Sequence, residues 1–90
     1  MTLSDRQREY LPAFREILPH VSEDRPGASV SVGRLWRAMN YWAVKNGTRT
    51  LPLGVAYALI REAGYKIQST KRGKIVHGLA LTAYSPPYVP

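Results

Sequence analysis

The strongest constraint on the fold of this chain is the stretch at residues 65–81, which reads YKIQSTKRGKIVHGLAL. Five of its apolar residues fall on odd positions and three of its polar residues on even positions, which is the alternation of strands that bury one face. The apolar set is Tyr65, Ile67, Ile75, Leu79 and Leu81, and the polar set is Lys66, Gln68 and Lys74. Only His77 breaks the apolar phase. The stretch predicts a β-hairpin that packs on the rest of the chain, because a lone two-stranded ribbon is barely stable in water.

The two runs are joined by a basic turn at residues 69–73. Its Gly73 can adopt the positive φ that closes hairpin loops of about three to five residues. We expect Lys71, Arg72 and Lys74 at the tip of the hairpin. Cations at the end of a projecting ribbon can contact phosphates or reach a minor groove, whose negative potential attracts Arg and Lys. The alternative is ordinary edge protection, since lysines also prevent exposed strands from pairing.

Charge is distributed unevenly along the chain. Residues 1–24 contain three arginines and five carboxylates, whereas residues 25–90 contain ten lysines or arginines and only Glu62 as an acid. Such a basic block creates a field that attracts anions, and nucleic acid is the commonest intracellular polyanion. The alternative is a solvated basic surface that serves only solubility. The one-sidedness of the block favours a nucleic-acid partner.

Composition limits the classes of protein that fit. Ninety residues with a 44% hydrophobic share suffice for one small domain with a modest core. The lack of cysteine excludes a disulfide framework and a thiolate metal site, and it suits a reducing cytoplasm. The longest apolar run, residues 51–60, contains Pro52 and Gly54 and is too short for a membrane span. We therefore expect a cytoplasmic protein with no membrane partner.

The first helix has a clear start and one internal complication. Ser4 followed by Gln7 matches a capping box. Pro12 interrupts the pattern, because it lacks a backbone donor and clashes with the preceding turn. An apolar stripe at helical spacing comprises Tyr10, Leu11, Phe14, Ile17, Leu18 and Val21. The helix is therefore either kinked at Pro12 or stable only from about residue 11, and we favour a frayed first turn and a firm helix over residues 11–18.

The sequence predicts one domain. A loop is expected at residues 19–31, where a Pro-Gly pair acts as a breaker, and residues 28–32 can add a short strand. The tail at residues 83–90 contains three prolines and is predicted to be flexible. An N-terminal helix and loop at residues 1–27 and a core at residues 28–82 are expected to form this single domain.

The second helix is the clearest in the sequence, at residues 32–46. Ser29 or Ser31 can cap its start, and Gly47 suits the left-handed position after its last turn. Its predicted core face comprises Val32, Leu35, Trp36, Met39, Trp42 and Ala43. Its opposite face comprises Arg34, Arg37, Tyr41 and Lys45. This basic stripe is predicted to be a solvated helix face, and the alternative is a second electrostatic surface formed by its three cations.

The third helix is predicted at residues 52–63, with Pro52 in its first turn. Its buried face comprises Val55, Ala56, Leu59, Ile60 and Ala63. Its outward face offers few side chains that read base edges, and only Arg61 and Tyr57 qualify. We therefore expect phosphate and shape contacts to dominate. The expected phosphate partners near the helix start are Thr48, Arg49 and Thr50.

The sequence lacks the groups of residues that catalysis needs. Five of the six carboxylates lie in the first 24 residues, and His20 and His77 have no partner at metal-ligand spacing. The chain contains no phosphate-binding loop and no dinucleotide fingerprint. His77 lies on the inward phase of its predicted strand and is expected to be a structural residue with a local hydrogen bond. We expect no enzyme activity, no cofactor and no metal.

The predicted elements follow the order of an α+β winged helix-turn-helix fold. This order is three helices, with a short strand after the first, and a C-terminal β-hairpin as the wing. In such folds the second helix of the helix-turn-helix pair usually enters a major groove of DNA.

Residues 29–81 resemble the winged-helix domain at the C-terminus of phage and poxvirus primase-helicases. The resemblance lies in LWRAMNYWAVKNG, in LIREAGY and in a basic hairpin that closes with HGLAL. It implies a DNA-binding accessory module of a replication initiator, with DNA contacts at Arg49, Arg61, Lys71 and Arg72. The ATPase and primase parts of that family are absent from this sequence, so no catalysis is implied. The apolar Leu-Pro-Leu at residues 51–53 replaces a more polar helix start.

The leading hypothesis is a winged-helix domain that binds duplex or junction DNA with low sequence selectivity, as an accessory module in phage-type DNA replication. The predicted DNA-binding residues are Arg49, Thr50, Tyr57, Arg61, Lys66, Lys71, Arg72 and Lys74, and the possible second basic surface is Arg34, Arg37 and Lys45. A replication protein is a further expected partner. The compartment would be the cytoplasm of a bacterial host cell if a phage encodes the chain.

Two alternatives stay open. Leu53 and Tyr57 on the outward face of the third helix could form an apolar patch of the kind that binds proteins. The chain would then be a protein-interaction winged helix of a phage factor that acts on a host or replisome protein. A small phage repressor or excisionase is the other alternative, and it would need a defined operator and a dimer.

Overall fold

The structure is a computed structural model, and it describes residues 3–82. Its helices are α1 (Asp5–Glu9), α2 (Leu11–Val21), α3 (Val32–Asn46) and α4 (Leu53–Glu62). Its strands are β1 (Ser22–Ser31), β2 (Lys66–Thr70) and β3 (Gly73–Leu81), which form one antiparallel sheet in the order β1-β3-β2. The α+β class is confirmed, with four helices where the sequence predicts three. The predicted flexible tail at residues 83–90 lies outside the described residues.

The N-terminal capping box is confirmed, but the prediction of a frayed first turn is wrong. The Ser4 hydroxyl accepts a hydrogen bond from the Gln7 amide at 3.2 Å, and the Gln7 side chain accepts one from the Ser4 amide at 2.8 Å. This cap begins a separate short helix, α1, which ends at Glu9 with Tyr10 as its C-cap. Pro12 explains the break, because in the first turn of a new helix its missing N–H needs no partner.

α2 extends to Val21, beyond its predicted end at residue 18, although Pro19 lies inside it. A proline within a helix removes one backbone hydrogen bond. The helix nevertheless continues, because Phe14, Ile17 and Val21 bury a stripe that reaches its last residue. Packing of such an apolar face supplies most of the stability of helices in proteins, so the local signal of the proline is overridden.

The predicted loop at residues 19–31 is wrong, because most of it forms β1. The paired residues run from Ser22 opposite Leu81 to Asp24 opposite Leu79, and from Ser29 opposite His77 to Ser31 opposite Ile75. The register shifts between these two segments, and the bulge accommodates Pro26 and Gly27, the latter at φ 85°. The predicted short strand is therefore the second half of β1, which spans the expected boundary between residues 27 and 28.

The alternation in β3 changes phase at Gly78, which has φ 90° and lies where β1 bulges. Val76 before it and Leu79 after it are both buried. Neighbours on a strand point to opposite faces, so Ile75 lies on the face opposite to Val76. The predicted inward position of Ile75 is therefore wrong, because the prediction followed the odd positions and passed over the apolar Val76 at an even one.

His77 lies on the same outer face of the sheet as Ile75. It stands opposite Lys66 of β2 and Ser29 of β1. Its Nε2 is 2.7 Å from the side-chain oxygen of Gln68 on β2. The predicted local hydrogen bond of His77 is confirmed, whereas its predicted inward position is wrong.

α3 matches its predicted range at both ends. The Ser31 hydroxyl accepts a hydrogen bond from the Arg34 amide at 3.4 Å, and Gly47 adopts the predicted left-handed conformation at φ 69°. In α4, Pro52 is the N-cap rather than the first helical residue. Ala63, the last predicted core residue of α4, is exposed because it lies just past the helix end.

The core lies between α2, α3, α4 and the inner face of the sheet. Its largest fully buried side chains include Ile17, Leu35, Met39, Leu51, Leu59, Ile60 and Leu79. The sheet thus closes one side of a three-helix layer. No helix within residues 3–82 is long and apolar enough to cross a membrane.

Candidate nucleic-acid interface

The basic turn of the hairpin is tighter than predicted. Thr70 of β2 pairs directly with Gly73 of β3, so the turn between the strands contains only Lys71 and Arg72. The Thr70 hydroxyl donates to the Gly73 carbonyl at 2.6 Å and accepts from the Arg72 amide at 3.3 Å. Gly73 has φ 124°, the positive value predicted for it. These bonds fix the turn and leave Lys71 and Arg72 exposed at its tip.

Lys74 does not share the tip with these two cations, contrary to prediction. Its Nζ lies 4.7 Å from the ring centroid of Tyr57 on α4. A cation–π contact of this kind is worth about 0.5–1 kcal/mol at an exposed site. Arg61 lies one helical turn after Tyr57, on the same side of α4. The Lys74 contact therefore joins the hairpin to α4, and the group Tyr57, Arg61, Lys71, Arg72 and Lys74 is named the hairpin surface.

The outward side of α4 lines a groove of about 340 Å³. Gly54, Ala58 and Arg61 of α4 share the lining with Leu3 and Gln7 of the N-terminal segment. α1 is thus a neighbour of the helix side that the sequence predicts to face DNA. Sequence reasoning missed this contact, because the residues of α1 are polar and give no indication of a partner. The apolar Leu3 just before the cap is the only local signal that this segment packs against another element.

The turn between α3 and α4 is held by side chains of α3. The Leu51 amide donates to the Asn40 side-chain oxygen at 2.9 Å, and the Leu51 carbonyl accepts from the Asn40 amide group at 3.0 Å. The Trp36 indole N–H donates to the same carbonyl at 2.6 Å. Because Leu51 is 2% exposed, these bonds satisfy buried backbone groups. Sequence reasoning missed Asn40, an amide at the edge of an apolar helix face.

The two tryptophans are half-buried and do not lie fully in the core as predicted. Trp36 is engaged by the turn before α4 through its indole N–H. Trp42 stacks on His20, with ring centroids 4.5 Å apart and planes 14° apart. Both rings are therefore packed against other parts of the chain.

Arg49 and Thr50 lie in the turn before α4, and both are exposed. The Arg49 guanidinium carbon lies 3.9 Å from the ring centroid of Tyr10, at the junction of α1 and α2. The Asn40 and Trp36 bonds to the next residue hold this turn in place. Arg49 is thus positioned near the start of α4, as its predicted role requires, but against an aromatic ring of the N-terminal segment.

The structure separates Lys66 from Lys74. Lys66 pairs with His77 on the outer face of the sheet, whereas Lys74 reaches Tyr57 on the helix side. The predicted DNA-binding residues therefore do not form one continuous set, and Lys66 lies apart from the hairpin surface.

The predicted second basic surface lies along one side of α3. Arg34, Arg37 and Lys45 are all exposed, and the Lys45 Nζ lies 5.3 Å from the ring centroid of Tyr41. These three cations are named the α3 stripe. The opposite side of α3 packs in the core. The α3 stripe is therefore a row of cations along the exposed side of one helix.

Neither basic surface contains an ion pair in the described part of the chain. Within residues 3–82 the only salt bridge joins Arg25 to Glu23, at 3.1 Å. The cations of the hairpin surface and of the α3 stripe thus form no ion pair in this part of the chain. Unpaired surface cations can neutralise phosphates and release the counterions that surround DNA.

Tyr65 holds the base of the hairpin against β1. Its hydroxyl donates a hydrogen bond to the Asp24 carboxylate. This bond, followed by burial and by the negative charge of Asp24, raises the pKa of Tyr65 to about 12. The ring packs near Gly78, where an added Cβ would lie 3.9 Å from it. Tyr65 therefore reaches across β3 and links the two edge strands of the sheet.

Comparison with known proteins adds no family to these observations. No match was found to models of protein families, to curated proteins or to solved structures. No group of three or more histidine or acidic side chains within residues 3–82 is arranged to hold a metal ion. The functional interpretation therefore depends on the geometry and charge of the surfaces described above.

Proposed function

We propose that this chain is a winged-helix module that binds duplex or junction DNA through the hairpin surface. The observation that supports this most is the contact between Lys74 and Tyr57, which brings the basic hairpin beside α4. A ribbon tip that carries Lys71 and Arg72 and a helix side that carries Arg61 can then contact one DNA segment together.

The arrangement of the elements supports the winged-helix part of the proposal. α3 and α4 are joined by a short turn, as in a helix-turn-helix pair, and α2 packs against both. The strand between α2 and α3 joins the sheet beside β3, and the hairpin follows α4 directly. In this interpretation α4 is the helix nearest to DNA and the β2–β3 hairpin is the wing.

Phosphate and shape contacts dominate the proposed interface. Arg61 is the one cation among the α4 residues that line the groove, and Gly54 and Ala58 have no side chain able to hydrogen-bond a base. Lys71 and Arg72 at the exposed tip suit backbone phosphates, which carry no sequence information. We therefore expect an affinity that varies little with DNA sequence and falls steeply as salt rises.

A role as an accessory module in phage-type DNA replication is the biological part of the proposal. It draws on the resemblance to primase-helicase winged helices, whose quoted segments fall in α3, at the end of α4 and in β3. These elements belong to one core and carry the hairpin surface between them. A replication protein is the further partner that this role implies.

A matched pair of triple variants tests the proposal. One variant replaces Lys71, Arg72 and Lys74 with alanine, and the control replaces the three cations of the α3 stripe. Both variants lose three positive charges. A difference between their DNA affinities therefore shows that the position of the cations matters, because the long-range attraction is reduced equally in both. The measurement is binding to labelled duplex, single-stranded and forked DNA over a series of salt concentrations.

The hairpin variant is expected to bind duplex or forked DNA more weakly, with a salt slope that is shallower by about one unit per lost phosphate contact. The control variant is expected to keep most of the affinity and of the slope. Equal losses in the two variants, or no loss in either, would contradict the proposed site.

A protein-interaction module is the second candidate function. Leu53 is 37% exposed and lies near the groove, beside the half-buried Tyr57. Neighbouring apolar side chains of this kind mark protein partners when they form a patch. This function would be favoured if the chain shifts no DNA at low salt and if Tyr57→Ala abolishes binding to a protein that co-purifies with it.

A further inference from the structure

The N-terminal segment touches the proposed DNA-binding side of the molecule at two separate places. Leu3 and Gln7 line the same groove as Ala58 on the outward side of α4. Tyr10 lies against the Arg49 guanidinium, 3.9 Å from its ring centroid. Residues 3–10 therefore contact both the helix and the turn that precedes it.

The attachment of this segment is slight. No residue of α1 is buried, and the two hydrogen bonds of its cap are exposed and join residues of the segment itself. A five-residue helix is far too short to be stable alone in water. The half-buried Leu3 and Tyr10, which pack at the edge of the core, therefore hold α1 in place.

The junction of α1 and α2 permits α1 to move as a unit. Tyr10 closes α1 and also begins α2, where it makes no side-chain cap. Pro12 in the first turn of α2 prevents the two helices from fusing into one. A change of backbone angles near Tyr10 would thus swing α1 away and leave α2 in the core.

We propose that residues 3–10 form a movable cover that competes with DNA for α4 and for Arg49. This inference rests on the proposed function, because it assumes that DNA uses this side of the molecule. A cover that is closed in most molecules lowers the apparent affinity in proportion to the open fraction. Arg49 joins the two contacts, because its guanidinium lies against Tyr10 at the junction of α1 and α2.

A reversible lock tests the cover, and the lack of native cysteine makes the experiment clean. The variant Gln7→Cys/Ala58→Cys carries one thiol on each side of the groove. A short bis-methanethiosulfonate cross-linker joins the thiols, and a reductant releases them. DNA binding is measured before and after release on the same sample, and each single-cysteine variant is treated in the same way as a control for the reagent.

Release of the cross-link is expected to raise DNA affinity about tenfold, whereas each single-cysteine variant should gain much less affinity when the reductant removes the reagent. Equal affinity of the locked and released forms overturns the cover but leaves the proposed function intact. If neither form nor the wild type binds any DNA, both proposals fail.

Leu3→Ala tests the same cover without a cross-linker. It shortens one of the two side chains that hold α1, so a larger fraction of molecules should be open. The expected result is a gain in DNA affinity of about threefold to tenfold at a temperature well below unfolding. Unchanged or weaker binding by a folded Leu3→Ala protein overturns the cover, whatever the outcome with the cross-linker.

Discussion

The hairpin surface and the α3 stripe each contain three or four exposed or partly exposed cations without an ion-pair partner in residues 3–82, yet they differ in shape. The hairpin surface combines the exposed turn between β2 and β3 with one side of α4, and the contact between Lys74 and Tyr57 joins them. The α3 stripe is a row along one helix whose other side is in the core. A count of charges therefore does not locate a polyanion site. The cations of the hairpin surface come from two elements, the hairpin and α4, whereas those of the α3 stripe come from one helix.

The largest difference between the two surfaces is expected on charge reversal. Lys71→Glu/Arg72→Glu should weaken DNA binding about a hundredfold near physiological salt, because two attractive contacts become repulsive. Arg34→Glu/Arg37→Glu makes the same change in net charge and should weaken binding less than about fivefold. Titration of labelled duplex gives both values. Similar losses would remove the distinction between the two surfaces.

The next effect concerns the turn that presents Arg49. Asn40→Ala leaves the Leu51 amide without its side-chain acceptor in a buried setting, and should lower the free energy of unfolding by about 2 kcal/mol. Asn46→Ala is the matched control, because that amide donates to the Trp42 carbonyl at an exposed position. It should cost less than about 0.5 kcal/mol. Urea unfolding of the two variants measures the difference, and equal costs would show that the turn is not held by Asn40.

A smaller effect is expected at the two tyrosines that lie beneath lysines. Tyr57→Leu keeps an apolar side chain but removes the ring under Lys74, and should weaken DNA binding about threefold to fivefold. Tyr41→Leu makes the same change beneath Lys45 on the α3 side and should leave the affinity almost unchanged. The titration is again with labelled duplex. A loss confined to Tyr41→Leu would reverse the assignment of the two surfaces.

The smallest effect is a pH dependence at the base of the hairpin. The pKa of Tyr65 is raised from 10.0 to about 12, so the folded chain holds this proton more tightly than the unfolded chain. The resulting stability is fully present below pH 10 and is lost as the pH rises through about 12. Tyr65→Phe should therefore lose less stability than wild type between these limits. Urea unfolding at two pH values measures this, and identical pH dependence would show that the bond to Asp24 does not form.

The helices were the most predictable part of the fold. α3 could be placed to the residue because Ser31, its apolar stripe and Gly47 are all local signals. β1 could not be placed in this way, because its partner strand is distant in the sequence: Ser22 pairs with Leu81. The Pro-Gly pair inside β1 also favours a turn in the sequence. In the structure this pair lies in the bulge, and the strand continues after it.

The candidate site was predictable in its charge and less so in its geometry. Lys71 and Arg72 were expected at the tip because a basic turn with glycine is a local pattern. The predicted position of Lys74 was wrong, because the turn contains only Lys71 and Arg72. Lys74 therefore belongs to β3, and its side chain lies on the helix side of the sheet. The contact of α1 with α4 depends wholly on tertiary packing, and no spacing in the sequence encodes it.

The bulge in β1 has a consequence for self-association. In the order β1-β3-β2, β1 is an edge strand, and an unbroken edge offers a row of N–H and C=O groups to which another molecule can add a strand. Pro26 removes a donor from that row, and the register shift bends the strand at the same place. The other edge, β2, has only five residues and begins with a lysine. Neither edge is a good template for strand addition, so aggregation through the sheet is disfavoured even at high protein concentration.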